Sequence, residues 1–148
     1  MRVVVQEAPF EFGAEAERFA SGASGAGAVV TFTGVVREAD GGDMAMMEIE
    51  HYPGMTQKAL EKIASDAMAR WDLTDALVIH RYGRLLPGDQ IMMVATASRH
   101  RVAAFEAAEY LMDYLKSRAP FWKKEILRDG GADWVAAKEA DEDALTRW

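Results

Sequence analysis

Apolar positions along the chain recur with two different periods, and the switches between them divide it into elements. Residues 28–37 (AVVTFTGVVR) are dense in β-branched side chains and predict the clearest strand. Gly34 inside that run marks a bulge or a close backbone approach. Residues 2–5 predict a short strand. Residues 47–52 alternate, with Met47, Ile49 and His51 on one face and Glu48, Glu50 and Tyr52 on the other. Two further strands, 76–82 and 90–97, are joined through Leu86-Pro87-Gly88-Asp89, which has turn chemistry.

Elsewhere the period lengthens to that of a helix. Residues 10–20 predict a short helix, followed by a Gly/Ser/Ala connector over 21–27. Thr56 is placed to cap a helix reaching Trp71, with Leu60, Ile63, Ala64, Ala67, Met68 and Trp71 as its apolar stripe. Ser98 is placed to cap a long helix ending near Ser117, with Phe105, Ala108, Leu111, Met112 and Leu115 toward the core; Pro120 stops it. Residues 121–128, the Asp129-Gly130-Gly131 turn and residues 133–137 predict a hairpin, and an acidic, helix-prone tail runs to Trp148. Strands that arrive in pairs with two long helices among them predict an α+β fold: one domain over residues 1–148, with a largely antiparallel sheet and two long helices packed on it.

Composition narrows the function. The 148 residues include no cysteine, so disulfides, thiolate metal sites and cysteine nucleophiles are excluded, and any sulfur chemistry must draw its sulfur from elsewhere. The three histidines, His51, His80 and His100, form no metal-binding spacing, and neither a metal nor another cofactor is expected. The Gly-rich run 21–27 lacks the Gly-Lys-Ser/Thr of a phosphate loop and reads as a linker. A formal net charge of −7 argues against nucleic-acid and membrane partners. The N-terminal apolar run is three residues, too short for a signal peptide, and nothing approaches the ~18 apolar residues of a membrane span, so a cytoplasmic protein is expected.

Within this acidic chain lies a basic island. Between Arg99 and Lys124, six cations face three carboxylates, a net +3 that leaves −10 elsewhere. An anion site is the expectation. Lys116 ends the long helix, where the plain alternative is a partner for the helix dipole. Lys123 shares a strand face with Phe121 and Leu127; a partly desolvated lysine there loses its proton easily and suits acid–base work, against the alternative of a solvated strand lysine. His100 and Arg101 open the same helix, where backbone N–H groups favour an anion, and Arg37 ends the best strand with a bidentate fork. His51 reads as structural. His100 and Lys116 are sixteen positions apart, about 24 Å along a helix. If both serve one small ligand, a second copy of the chain must supply one of them, as in a symmetric dimer with shared sites.

These blocks carry a family resemblance. Val30 to Arg37, Glu50-His51-Tyr52-Pro53-Gly54-Met55, His80-Arg81-Tyr82-Gly83, Pro87-Gly88-Asp89, His100-Arg101, Ala104-Phe105-Glu106-Ala107 and the run from Met112 to Glu125 keep their order and spacing, and from about residue 27 onward the chain resembles the large, catalytic subunit of molybdopterin synthase. The resemblance implies sulfur transfer to cyclic pyranopterin monophosphate, giving the dithiolene of molybdopterin. The sulfur would arrive as a thiocarboxylate on the C-terminal Gly-Gly of a small ubiquitin-like partner, with two transfers per product. It also implies a dimer of large subunits with a small subunit at each end. Carried over by position, Lys116 and Lys123 are the catalytic lysines, Arg37, His100 and Arg101 contact substrate, and Lys124 and Glu125 complete the block and line the pocket. Val35 departs from the family, where this position is often basic, and Lys138 stands where an arginine can occur. Residues 38–43 are the candidate closing loop, on composition. The alternative is a non-catalytic dimeric module binding a phosphorylated small molecule, which would not co-purify with a ubiquitin-like protein ending in Gly-Gly.

Overall fold

A computed structural model describes residues 1–38, 42–136 and 138–148; residues 39–41 of the candidate closing loop lie outside the described residues. The α+β class stands, with its strands divided between two four-stranded sheets. The first holds β1 (Arg2–Gln6), β4 (Asp75–Arg81), β6 (Gln90–Ser98) and β2 (Ala28–Val35), in that order; the second holds β5 (Gly83–Leu85), β3 (Met44–His51), β7 (Phe121–Leu127) and β8 (Ala132–Trp134). The β1–β4 pair is parallel, and the other pairings are antiparallel. The register shifts between Gly34 and Val35, where the sequence predicts a bulge.

Strands β4 and β6 are buried along almost their whole length because both faces of their sheet are covered. Leu77, Ile79, Met93, Ala95 and Ala97 pack with Phe19 of α1 (Phe12–Gly22). Val78 and Val94 on the other face pack with Leu60 and Ala64 of α2 (Met55–Trp71) and Leu111 of α3 (Arg101–Ser117). Small residues let α3 approach closely: Ala104, Ala107 and Ala108 are buried, and Thr96 Oγ1 donates to the Ala104 carbonyl at 2.7 Å.

Several local expectations are corrected. Thr56 lies inside the first turn of α2 rather than capping it; its buried hydroxyl donates to the Tyr52 carbonyl at 2.9 Å and accepts from the Tyr52 N–H at 3.2 Å, tying α2 to the end of β3. Ser98 closes β6, and its hydroxyl donates to the His100 carbonyl, while His100 itself precedes the helix. Phe105 points outward and is 62% exposed, because the alanines at 104, 107 and 108 take the face against the sheet. Gly83 to Leu85, absent from the predicted strands, pair with β3. The turn after them is as predicted: Gly88 has φ 93°, the Asp89 N–H donates to the Leu86 carbonyl at 2.9 Å, and Asp89 Oδ2 accepts from the Leu86 N–H at 2.8 Å.

The connector before β2 is tied to the start of α3. The Gly27 N–H donates to the Ser98 carbonyl at 2.9 Å, and a Cβ at Gly27 would overlap the Arg99 carbonyl oxygen. Gly27→Ala is therefore expected to destabilise the protein by about 1–3 kcal/mol. Chemical denaturation reads this directly, and an unchanged midpoint would mean that this junction is loose.

The chain closes with α4 (Glu139–Ala144) and a 3-10 turn (Leu145–Arg147). Arg147 donates to Glu109 at 2.5 Å and to Asp113 at 2.6 Å, and the Trp148 indole N–H donates to Asp113 at 2.7 Å. These bonds lay the tail along α3. Among the described residues, no helix is long and apolar enough to cross a membrane.

Candidate active site

A cavity opens where the two sheets meet the last turn of α3. It holds about 450 Å³ of empty space, its open mouth included. Apolar walls come from Phe32 and Val35 of β2, Ile91 and Met92 of β6, and Met112 and Leu115 of α3. The ionisable groups lining it are Lys116, Lys123 and His80.

Local folding brings the two lysines together. Lys116 rides the last turn of α3. The chain then reverses over residues 118–120: the Arg118 N–H donates to the Tyr114 carbonyl at 2.7 Å, and the Phe121 N–H to the Ala119 carbonyl at 2.8 Å. Pro120 has no N–H to continue a helix, and β7 begins at once. Lys123, opposite Ile49 of β3, thus returns to the cavity that Lys116 lines. Among the described residues, no carboxylate lies within ion-pair distance of either lysine. Burial, reinforced by the Lys116 charge, pushes the Lys123 ammonium down to about 8; Lys138 acts in the same direction and Asp141 opposes it. Two lysines in an apolar cavity with no described carboxylate beside them suit an anion, and Lys123 exchanges its proton near pH 8.

The rest of the basic island disperses. Arg118 is held by both oxygens of Glu142 at 2.9 and 3.0 Å. Strand alternation puts Lys124 on the opposite face of β7 from Lys123, with its ammonium 4.9 Å from the centre of the Trp134 ring. Glu125 stands opposite Asp133 and Met47. Neither Lys124 nor Glu125 lines the cavity in this chain. Arg37 is exposed just beyond β2, and Lys138 is exposed ahead of α4. His100 and Arg101 are exposed at the far end of α3, a single uninterrupted helix, so they and Lys116 do not share a cavity within one chain.

His80 was not singled out as a site residue from the sequence. Its signal was a polar ring directly after the apolar run 76–79 in the doubly covered strand Asp75–Arg81. Its ring stacks on Phe121, with centroids 3.7 Å apart and planes at 14°, and Nδ1 lies 2.8 Å from the Arg81 carbonyl. His51 packs on Tyr82 at 4.3 Å and on Phe121 at 6.2 Å, consistent with its structural reading. No group of three His, Asp or Glu side chains able to hold a metal gathers among the described residues.

The family model described as MoaE protein matches residues 5–118. The chain is 70% identical over 148 residues to the molybdopterin synthase catalytic subunit of Cereibacter sphaeroides, covering all of both chains. It is 49% identical over 152 residues to that of Escherichia coli, covering 99% of this chain and 97% of the other. Among solved structures, the molybdopterin biosynthesis MoaE protein from Burkholderia ambifaria superposes with a TM-score of 0.82 at 49% identity, covering 99% of this chain and 97% of that one. Molybdopterin synthase from Staphylococcus aureus superposes at 0.79 with 32% identity, covering 89% and 95%. A match of this length and identity leaves one assignment: the chain belongs to the MoaE family of molybdopterin synthase catalytic subunits.

Proposed function

We propose that the cavity binds cyclic pyranopterin monophosphate and that Lys116 and Lys123 drive transfer of sulfur to it from the C-terminal thiocarboxylate of a small ubiquitin-like partner. The observation that carries this reading is the pair of lysines, unpaired with any described carboxylate, on the lining of one open, largely apolar cavity. The relatives are named catalytic subunits, which implies a companion subunit, and a chain without cysteine needs sulfur brought to it. In each transfer the thiocarboxylate sulfur forms a C–S bond to a side-chain carbon of the pterin as the C–O bond at that carbon breaks, the oxygen leaving as water or with the phosphate. Water then cleaves the resulting thioester, leaving sulfur on the substrate and a carboxylate on the partner. Lys123, whose proton leaves near pH 8, acts as the base that takes a proton from the water cleaving the thioester, while the sulfur leaves on the substrate as thiolate. Lys116 stabilises the anionic centres that form. Two such cycles complete the dithiolene. The cytoplasm is the compartment this reading assigns.

The substrate phosphate and pterin would further contact Arg37, His100 and Arg101, the last two from a second copy, with Lys124 and Glu125 bordering the completed pocket. Exposed apolar side chains beside His100 and Arg101, Val102 at 63% and Phe105 at 62%, give a second copy surface to cover. A shared site makes a direct prediction. Mixing an Arg101→Ala chain with a Lys116→Ala chain is expected to restore activity, because half of the sites in each heterodimer carry neither substitution. No recovery despite verified subunit exchange would mean that each chain completes its own site.

A further inference from the structure

His80 is a buried titratable group in the cavity wall to which the lysine chemistry assigns no task. It is 5% exposed, and its ring is fixed on two sides, by the Phe121 stack and by the Arg81 carbonyl 2.8 Å from Nδ1. A carbonyl only accepts, so Nδ1 carries the proton, and in the neutral ring Nε2 presents a lone pair. Among the described residues Nε2 has no partner. It is also not sealed: the buried side-chain atoms lacking a partner are Thr33 Oγ1, His51 Nδ1 and Ser117 Oγ. The open space that His80 borders is the cavity.

The neighbours make this lone pair distinctive. The other ionisable groups on the lining are the Lys116 and Lys123 side chains, and the remaining walls are apolar. Burial, together with the nearby charges of Lys123 and Lys116, holds the imidazole down at about 3, although the Arg81 bond works against this. The ring is thus neutral throughout the working range.

We propose that His80 Nε2 accepts a hydrogen bond from an N–H or O–H on the heterocyclic head of the bound ligand, so that the site offers an acceptor as well as its cations. This rests on the cavity being the pterin site described above. A phosphate, rich in acceptors, is repelled by such a lone pair, whereas a pterin ring carries N–H donors. His80 therefore helps to orient the ligand by holding the donor edge of its ring against this part of the wall.

Two substitutions separate this role from a structural one. His80→Asn keeps a donor near the place of Nδ1 and leaves nothing at Nε2; His80→Gln carries an acceptor out to the place of Nε2. Binding of cyclic pyranopterin monophosphate would be measured by calorimetry without the sulfur-carrying partner, alongside inorganic phosphate as a second probe. His80→Asn is expected to stay folded, to weaken pterin binding about tenfold and to leave phosphate binding unchanged, with His80→Gln recovering part of the loss. Asparagine binding the pterin within twofold of wild type would overturn the proposal, as would equal losses for pterin and phosphate. Because the comparison reads binding alone, a wild type that binds the pterin here but gives no product once the thiocarboxylated partner is added would sink the sulfur-transfer reading while leaving the His80 comparison decisive. A wild type that fails to bind it overturns both.

Discussion

Lys116→Ala is expected to lower turnover by at least a hundredfold while leaving the fold and partner binding nearly intact. Lys116 is exposed and pairs with no described carboxylate. Its structural contribution is limited to the helix dipole, worth about 0.3–1 kcal/mol at an exposed terminus. Its chemical contribution is larger. A positioned donor facing a developing negative charge is worth about 10²–10³ in rate. The two roles differ enough in size for one variant to decide between them. Rate, unfolding midpoint and complex formation should be read on the same preparation. Loss of rate with a midpoint shifted by less than about 1 kcal/mol supports chemistry. Loss of the fold or of the partner complex would return Lys116 to a structural role.

Lys123 should give a pH signature and a stability gain of opposite sense to its function. With Lys123 as the base, kcat/KM is expected to rise with pH through a midpoint near 8, the value to which burial pushes this ammonium. Lys123→Met should abolish both the rate and this profile. The folded chain gives up this proton near 8, and the unfolded chain keeps it to about 10.5. Between those values the unfolded state binds more protons, so stability rises with pH across that window. Below pH 8 the full cost of burying an ammonium is present. Lys123→Met removes that cost and is expected to stabilise the protein at pH 7 by roughly 1–3 kcal/mol, with the advantage fading between pH 8 and 10.5. Denaturation at both ends of the window checks it. A methionine variant less stable than wild type at pH 7 would show that Lys123 is well solvated or paired in the folded state.

Much of this site was legible in the residues. Lys123 shares a face with apolar neighbours by strand alternation alone, and the structure adds that its charged form is destabilised there. The stop at Pro120 and the following strand follow from local chemistry, and together they bring Lys116 and Lys123 to one cavity. Less legible was anything decided by long-range packing. Phe105 fits the helical stripe, yet the alanines beside it win the sheet because only small side chains allow α3 so close. The three-residue β5 is too short to show a period and exists through its pairing with β3. His80 lies in a strand whose burial on both faces conceals any alternation, so its place in the cavity wall emerges only when β7 crosses it through Phe121.

The most direct test is reconstitution. Purified protein, a thiocarboxylated ubiquitin-like partner and cyclic pyranopterin monophosphate are combined, and the dithiolene product is followed after oxidation to its fluorescent derivative. The account predicts product with wild type and none above background with Lys116→Ala. No product from wild type, with the partner shown to be thiocarboxylated and bound, would contradict it.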